Sequence, residues 1–187
     1  MGQRLTGDDF NSLFRYFTRT AFRLETQPIY TVTEEQPSVQ RFLAGDLHPV
    51  DEYPPMAAWL DQIRTLTRAG KRVQRVRILD EPPTDYQRWE MWSTQFAAAA
   101  GEHIGYLPRS QARNLGLPDT HDWWLFDDQR LARMRFDPRG VPLGGEITDD
   151  PETIAQHCTW QHLAIRNASP ASEHHQHVST ETSTSPD

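Results

Sequence analysis

The sequence predicts a single α/β or α+β domain: a mixed sheet of about five to seven strands flanked by helices. Three observations carry this. Lys71–Leu79 alternates as a strand but bears apolar residues on both faces, with Val73 opposite Val76 and Ile78, and it lies between two amphipathic helices, the pattern of a βαβ unit with a parallel pair. The stretch His121–Asp128 and the run Leu131–Phe136, joined by a turn at Gln129-Arg130 and followed by another at Asp137-Pro-Arg-Gly140, read as a hairpin or meander. At 187 residues the chain suits one domain with a real core.

Along the chain, Asp8 and Asp9 start a helix whose stripe is Phe10, Leu13, Phe14 and Phe17. Phe22–Glu25 and Ile29–Val32 read as extended segments broken at Pro28. Glu34–Ala44 reads as a short helix closed by Gly45. Pro54-Pro55 opens the next helix, which buries Met56, Trp59, Leu60, Ile63 and Leu66 and stops at Gly70. Thr84 or Asp85 caps a helix over residues 86–100 that carries Trp89, Trp92 and Phe96. His103–Leu107 is a short strand, 110–115 a short helix, and Asp149 or Asp150 caps a final helix with Pro151 in its first turn. Trp59, Trp89, Trp124 and Phe126 are expected in the core. Residues 1–168 form the domain. Residues 169–187, rich in Ser, Thr and His with almost no large apolar side chain, read as a disordered tail.

The net charge of −7 argues against nonspecific nucleic-acid binding, which needs a basic face. Three of the acids, Glu173, Glu181 and Asp187, lie in the tail, so the body is only mildly acidic. The single cysteine, Cys158, excludes an internal disulfide and fits a reducing cytosol. No signal peptide and no apolar run of membrane-spanning length is present, which implies a cytoplasmic protein.

The stretch His121-Asp-Trp-Trp-Leu-Phe-Asp-Asp128 has the spacing of the H-x-K-x4-D motif and resembles the phospholipase D superfamily, with Trp123 in the lysine's place. The meander, the Gly140–Gly145 turn and the closing helix extend that resemblance over residues 72–165, where they look like one half of that fold. It implies His121 as the nucleophile and the aspartate at 128 as a support of the fold. The missing lysine removes the cation that neutralises a substrate phosphate. Active members also use two motifs, and this chain has one. The implied protein is a degenerate, non-hydrolytic relative; a phosphodiesterase using His121 is the alternative.

Phe22-Arg-Leu-Glu25, Tyr106-Leu-Pro-Arg109, Asp122–Asp128 and Asp149-Asp-Pro151 resemble a family of small actinobacterial proteins encoded near helix-turn-helix regulators. That resemblance implies a cytosolic regulatory or ligand-binding protein working with such a regulator. A small anionic ligand and a second copy of the chain are the other partners considered, and no cofactor is implied. Arg109, at the C-terminal end of a strand beside Asp80 and Glu81, can hold a phosphate or carboxylate. With His121, Trp123 and Asp128 it makes up the expected ligand site. The alternating Arg72, Arg75 and Arg77 are expected to pair with the chain's surplus carboxylates. The Asp127-Asp128 and Asp149-Asp150 pairs read as a turn and a helix cap rather than metal ligands, and His174, His175 and His177 as incidental.

Overall fold

The computed structural model describes residues 3–4, 7–47 and 54–173. In chain order the elements are β1 (Gln3–Arg4), α1 (Gly7–Tyr16), β2 (Thr20–Glu25), α2 (Gln36–Leu43), α3 (Pro54–Arg68), β3 (Arg72–Leu79), α4 (Asp85–Ala100), β4 (His103–Pro108), α5 (Arg109–Asn114), β5 (Asp122–Phe126), β6 (Arg130–Phe136), β7 (Pro142–Thr148), α6 (Pro151–Asn167) and β8 (Ser169–Pro170). One mixed sheet runs β1-β7-β6-β5-β2-β3-β4-β8. β2, β3 and β4 are parallel, while β5 joins β2 antiparallel and leads the β5-β6-β7 meander. The α/β class and the mixed sheet are as the sequence predicts. Two-residue strands at the edges take the strand number among the described residues to eight.

Alternation of side chains sorts the strand residues into two layers. Ala21, Val73, Tyr106, Trp124, Phe126 and Ala132 pack under α1, α2, α3 and α4. Phe22, Leu24, Val76, Ile78, Leu107, Trp123 and Leu125 pack under α5 and α6. All five residues of β5 are buried, because the strand is central and covered on both faces. Trp89, Trp124 and Phe126 are buried as expected, and Trp59 is half-buried.

Local chemistry sets the helix ends. Thr84 and Gln87 form a reciprocal capping box on α4, and Gly101 ends that helix in the left-handed region at φ 109°. The Asp150 side chain accepts from the Thr153 N–H to start α6. Among the described residues no helix is long and apolar enough to cross a membrane.

Two expectations are corrected. Ile29–Val32 is not a strand: Tyr30 turns inward, and Thr31 bonds the carbonyls of Gly140 and Arg139 instead of a neighbouring strand. The tail does not begin at 169. Ser169–Pro170 pairs with β4 and Ala171 is buried, so the fold continues through Glu173. The rest of the expected tail, with His174, His175 and His177, lies outside the described residues.

Candidate functional site

The four residues expected to form one ligand site are dispersed. Arg109 sits at the C-terminal ends of the parallel strands, where its guanidinium bonds Asp80 and, at 2.8 Å, the Thr26 carbonyl. Trp123 is fully buried in the α5/α6 layer, edge-on to His157 with ring centroids 5.1 Å apart. Asp128 is exposed in the β5–β6 turn at φ 57°. The aspartate that ties the fold together there is its neighbour Asp127. It accepts from the backbone N–H groups of Thr18, Arg19 and Thr20 at 2.6, 2.7 and 2.9 Å.

His121 immediately precedes β5 and lines a pocket of about 190 Å³ with Thr120, Arg133, Arg135, Gly145 and Glu146. Its Nε2 is 3.5 Å from Nε2 of His157, and its Nδ1 is 3.1 Å from the Thr120 hydroxyl. His157 Nδ1 must donate to the Thr153 carbonyl at 2.8 Å, because a carbonyl only accepts. In neutral His157 that leaves Nε2 as the acceptor, so the proton between the rings belongs to His121 Nε2. Burial, His157 and Arg133 together push the His121 pKa down to about 4. The ring is therefore neutral at physiological pH. Arg133 shares the pocket, but its guanidinium is held by Glu146 at 2.5 Å. Arg135 lines the pocket and is exposed.

A larger cleft of about 320 Å³ lies on the opposite face of the sheet, beneath α1, α3 and α4. Its floor is a buried ion network. Glu25 is shared by three guanidiniums: Arg23 at 3.1 Å, Arg75 at 2.6 Å and Arg77 at 2.7 Å. Each arginine has a second acid: Asp122 for Arg23 at 3.3 Å, Glu102 for Arg75 at 2.8 Å and Glu90 for Arg77 at 3.4 Å. Arg75 and Arg77 thus pair with carboxylates as the sequence predicts, but in the interior. Tyr30 donates to Asp122, Trp59 Nε1 to Glu102 at 2.9 Å, and Tyr86 to Glu35 at 2.5 Å. Trp124 lines the cleft with Arg23 and Arg75 over its ring, and its buried indole N–H has no hydrogen-bond partner among the described residues.

Burial opposes ionisation of Glu25, but the three arginines overcome it and hold the carboxyl well below the usual carboxylate range. Glu90 has less compensation, and burial pushes it up to about 8 despite Arg77. Burial likewise raises Asp122 and Glu35. Perturbed carboxyls beside a cavity are a recurrent mark of functional sites.

Sequence reasoning missed this cleft. Two signals pointed to it: Arg75 and Arg77 share the strand parity of buried Val73 and Leu79, and Asp122 opens an otherwise apolar strand. Among the described residues, no group of three or more His, Cys, Asp or Glu side chains is placed to hold a metal.

The family follows from the whole body of the chain. A family model described as a domain of unknown function, DUF6879, matches residues 8–176. The chain belongs to the DUF6879 family. No curated protein matches it in sequence. Among solved structures, NucT from Helicobacter pylori is 13% identical, aligns over 87% of this chain and 91% of its own, and gives a TM-score of 0.50. Nuc from Salmonella typhimurium, a phospholipase D family member, is 10% identical over 85% and 86% of the two chains, with a TM-score of 0.49. Phosphatidylserine synthase from Haemophilus influenzae Rd KW20 is 12% identical over 90% of this chain and 38% of its own, at 0.46. The likeness of this DUF6879 chain to NucT is one of fold. It extends beyond residues 72–165, where the motif-based resemblance stops.

Proposed function

We propose that this DUF6879 protein is a non-enzymatic, cytosolic small-molecule-binding module on a degenerate phospholipase D-like fold, and that it works with a helix-turn-helix regulator. The observation that carries the reading is the cleft under α1, α3 and α4: a half-open cavity with aromatic walls, a charged floor and an indole N–H that has no partner among the described residues. The His121 pocket supports catalysis less well. The motif's lysine position holds buried Trp123, Arg133 is committed to Glu146, Nε2 of His121 carries a proton directed at His157, and its Nδ1 lone pair faces the Thr120 hydroxyl. A nucleophilic imidazole needs a free lone pair facing the phosphorus.

The direct test is native mass spectrometry of protein purified under mild conditions, paired with thermal unfolding. A bound small molecule that raises Tm, and whose effect disappears in Met56→Trp at the cleft wall, is the expected result. The second reading, a phosphodiesterase, has one observation in its favour: Arg133 and Arg135 line the pocket of His121. Cleavage of bis(p-nitrophenyl) phosphate that is lost in His121→Ala would replace the binding-module reading with that one.

A further inference from the structure

We propose that the α1/α3/α4 cleft takes a small organic cation, an ammonium-type group on a short body that also carries a hydrogen-bond acceptor. The inference rests on the ligand-binding reading and names the class of ligand.

Charge decides the sign. The network holds three guanidiniums, Arg23, Arg75 and Arg77, against five carboxyls, Glu25, Glu35, Glu90, Glu102 and Asp122. Each guanidinium already lies within ion-pair distance of Glu25 and of a second acid. An entering anion meets guanidiniums already paired with carboxylates, and it meets acids in excess once Glu90 has lost its proton. An entering cation meets Glu35, half-buried, whose Oε2 accepts from Tyr86. It also meets Glu90, which shares Arg77 with Glu25. The walls fit the same charge. Tyr30, Tyr86 and Phe136 line the cleft as a cluster, with centroids 5.8 Å apart for Tyr30–Tyr86 and 5.1 Å for Tyr30–Phe136. Aromatic faces grouped in this way attract ammonium groups through their quadrupoles. Trp124 favours the acceptor. It lines the cleft, and its buried indole N–H has no hydrogen-bond partner among the described residues, a cost that a ligand oxygen reaching it removes.

The proton on Glu90 gives the test its handle. This carboxyl is faced by Arg77 and Arg75 from β3, by Glu25 from β2 and by Glu35 from the turn before α2, and its pKa is pushed up to about 8. A cation favours the ionised form, so binding releases a proton and tightens as pH rises through that value.

The experiment is titration of the full chain with 3-methoxypropylammonium, tetramethylammonium and inorganic phosphate, followed by tryptophan fluorescence and calorimetry at pH 6.5 and 9. We expect the ammonium probes to bind at least about tenfold more tightly at pH 9, with 3-methoxypropylammonium the stronger of the two. Glu90→Gln mimics the protonated side chain and keeps the fold, as circular dichroism will show. It should abolish the pH dependence and leave affinity at the pH 6.5 level. Trp124→Phe should remove the advantage of the methoxy probe alone. Phosphate binding in the cleft without ammonium binding overturns the cation assignment and leaves the binding-module reading standing. Ammonium binding that is independent of pH and of Glu90 overturns the site. If neither sign of probe binds while native mass spectrometry still finds a cleft ligand, the ligand class is wrong; if that ligand is also absent, the parent reading falls with it.

Discussion

The Tyr30 hydroxyl donates a 2.5 Å hydrogen bond to Asp122, a fully buried carboxylate at the first position of the central strand β5. Asp122 also accepts from the Thr26 backbone N–H and hydroxyl and pairs with Arg23. One side chain therefore fastens the loop after β2 to the strand beside it. Asp122→Ala leaves a buried guanidinium short of its partner and should cost about 3–5 kcal/mol. Tyr30→Phe removes one donor and should cost about 1–3 kcal/mol. Urea midpoints measure both, and a larger loss for Tyr30→Phe than for Asp122→Ala would contradict this account.

Glu90 and Glu25 shape the pH profile in opposite senses. The folded-state pKa of Glu90 is raised from 4.5 to about 8. Between those values the folded chain holds a proton that the unfolded chain has lost, so this group makes stability fall as pH rises through the window. Glu90→Gln should flatten that fall. The Glu25 pKa is depressed, so its contribution is present above 4.5 and lost as pH drops below it. Glu25→Gln deprives three arginines of their shared carboxylate and should cost about 3–5 kcal/mol at neutral pH. Chemical unfolding from pH 4 to 9 separates the two, and parallel curves for wild type and Glu90→Gln would show that Glu90 is not the titrating group.

The histidine pair should be visible by NMR. His121 titrates near 4, below its ordinary 6.5, and His157 is also lowered. Both pKa values are depressed, so protonation on acidification favours the unfolded chain, and stability supported by the neutral pair declines from pH 6.5 towards 4. His157→Gln removes one source of the His121 shift, and the His121 resonance should move to a higher pKa. An unchanged His121 titration would show that burial and Arg133 set it without His157.

The β5–β6 turn holds two non-glycine residues at positive φ, Asp127 at 53° and Asp128 at 57°. Two such residues in succession match a type I′ turn, whose second position favours glycine. Asp128→Gly should raise stability by about 0.5–1 kcal/mol, since the exposed Asp128 side chain is spared the left-handed strain. Asp127→Gly should lower stability despite relieving the same strain, because it abandons the N–H groups of Thr18, Arg19 and Thr20. Calorimetric Tm values with opposite signs for the two variants are expected.

The fold was legible wherever one residue type does local work. Thr84, Asp150 and Gly101 mark helix ends through their own side chains or φ angles. The two-faced apolar pattern of residues 73–79 told of a covered parallel strand. The cleft was not legible because its pairs span long stretches of chain: Glu25 meets Arg75 and Arg77 across about fifty residues, and Asp122 meets Arg23 across ninety-nine. Spacing along the chain carries no trace of such partners. His121 stood out through its motif spacing, yet that spacing did not show His157 beside it, since α6 approaches only in three dimensions. The turn aspartate was misplaced by one residue, because two adjacent aspartates are equivalent until the backbone decides which faces Thr18.

The seam between β2 and β5 has a consequence for how the chain comes together. β2, β3 and β4 are complete by residue 108, but the strand that covers the other side of β2 arrives only at residues 122–126. During synthesis, β2 therefore waits as an open edge carrying Phe22 and Leu24 on one face. Its other face presents Arg23 and Glu25, and charges on an edge discourage pairing with a stray strand. Residues that later line the cleft under α1, α3 and α4 should thus serve first as gatekeepers of a nascent sheet. The chain closes around them when β5 docks, a long loop closure that should set the pace of folding.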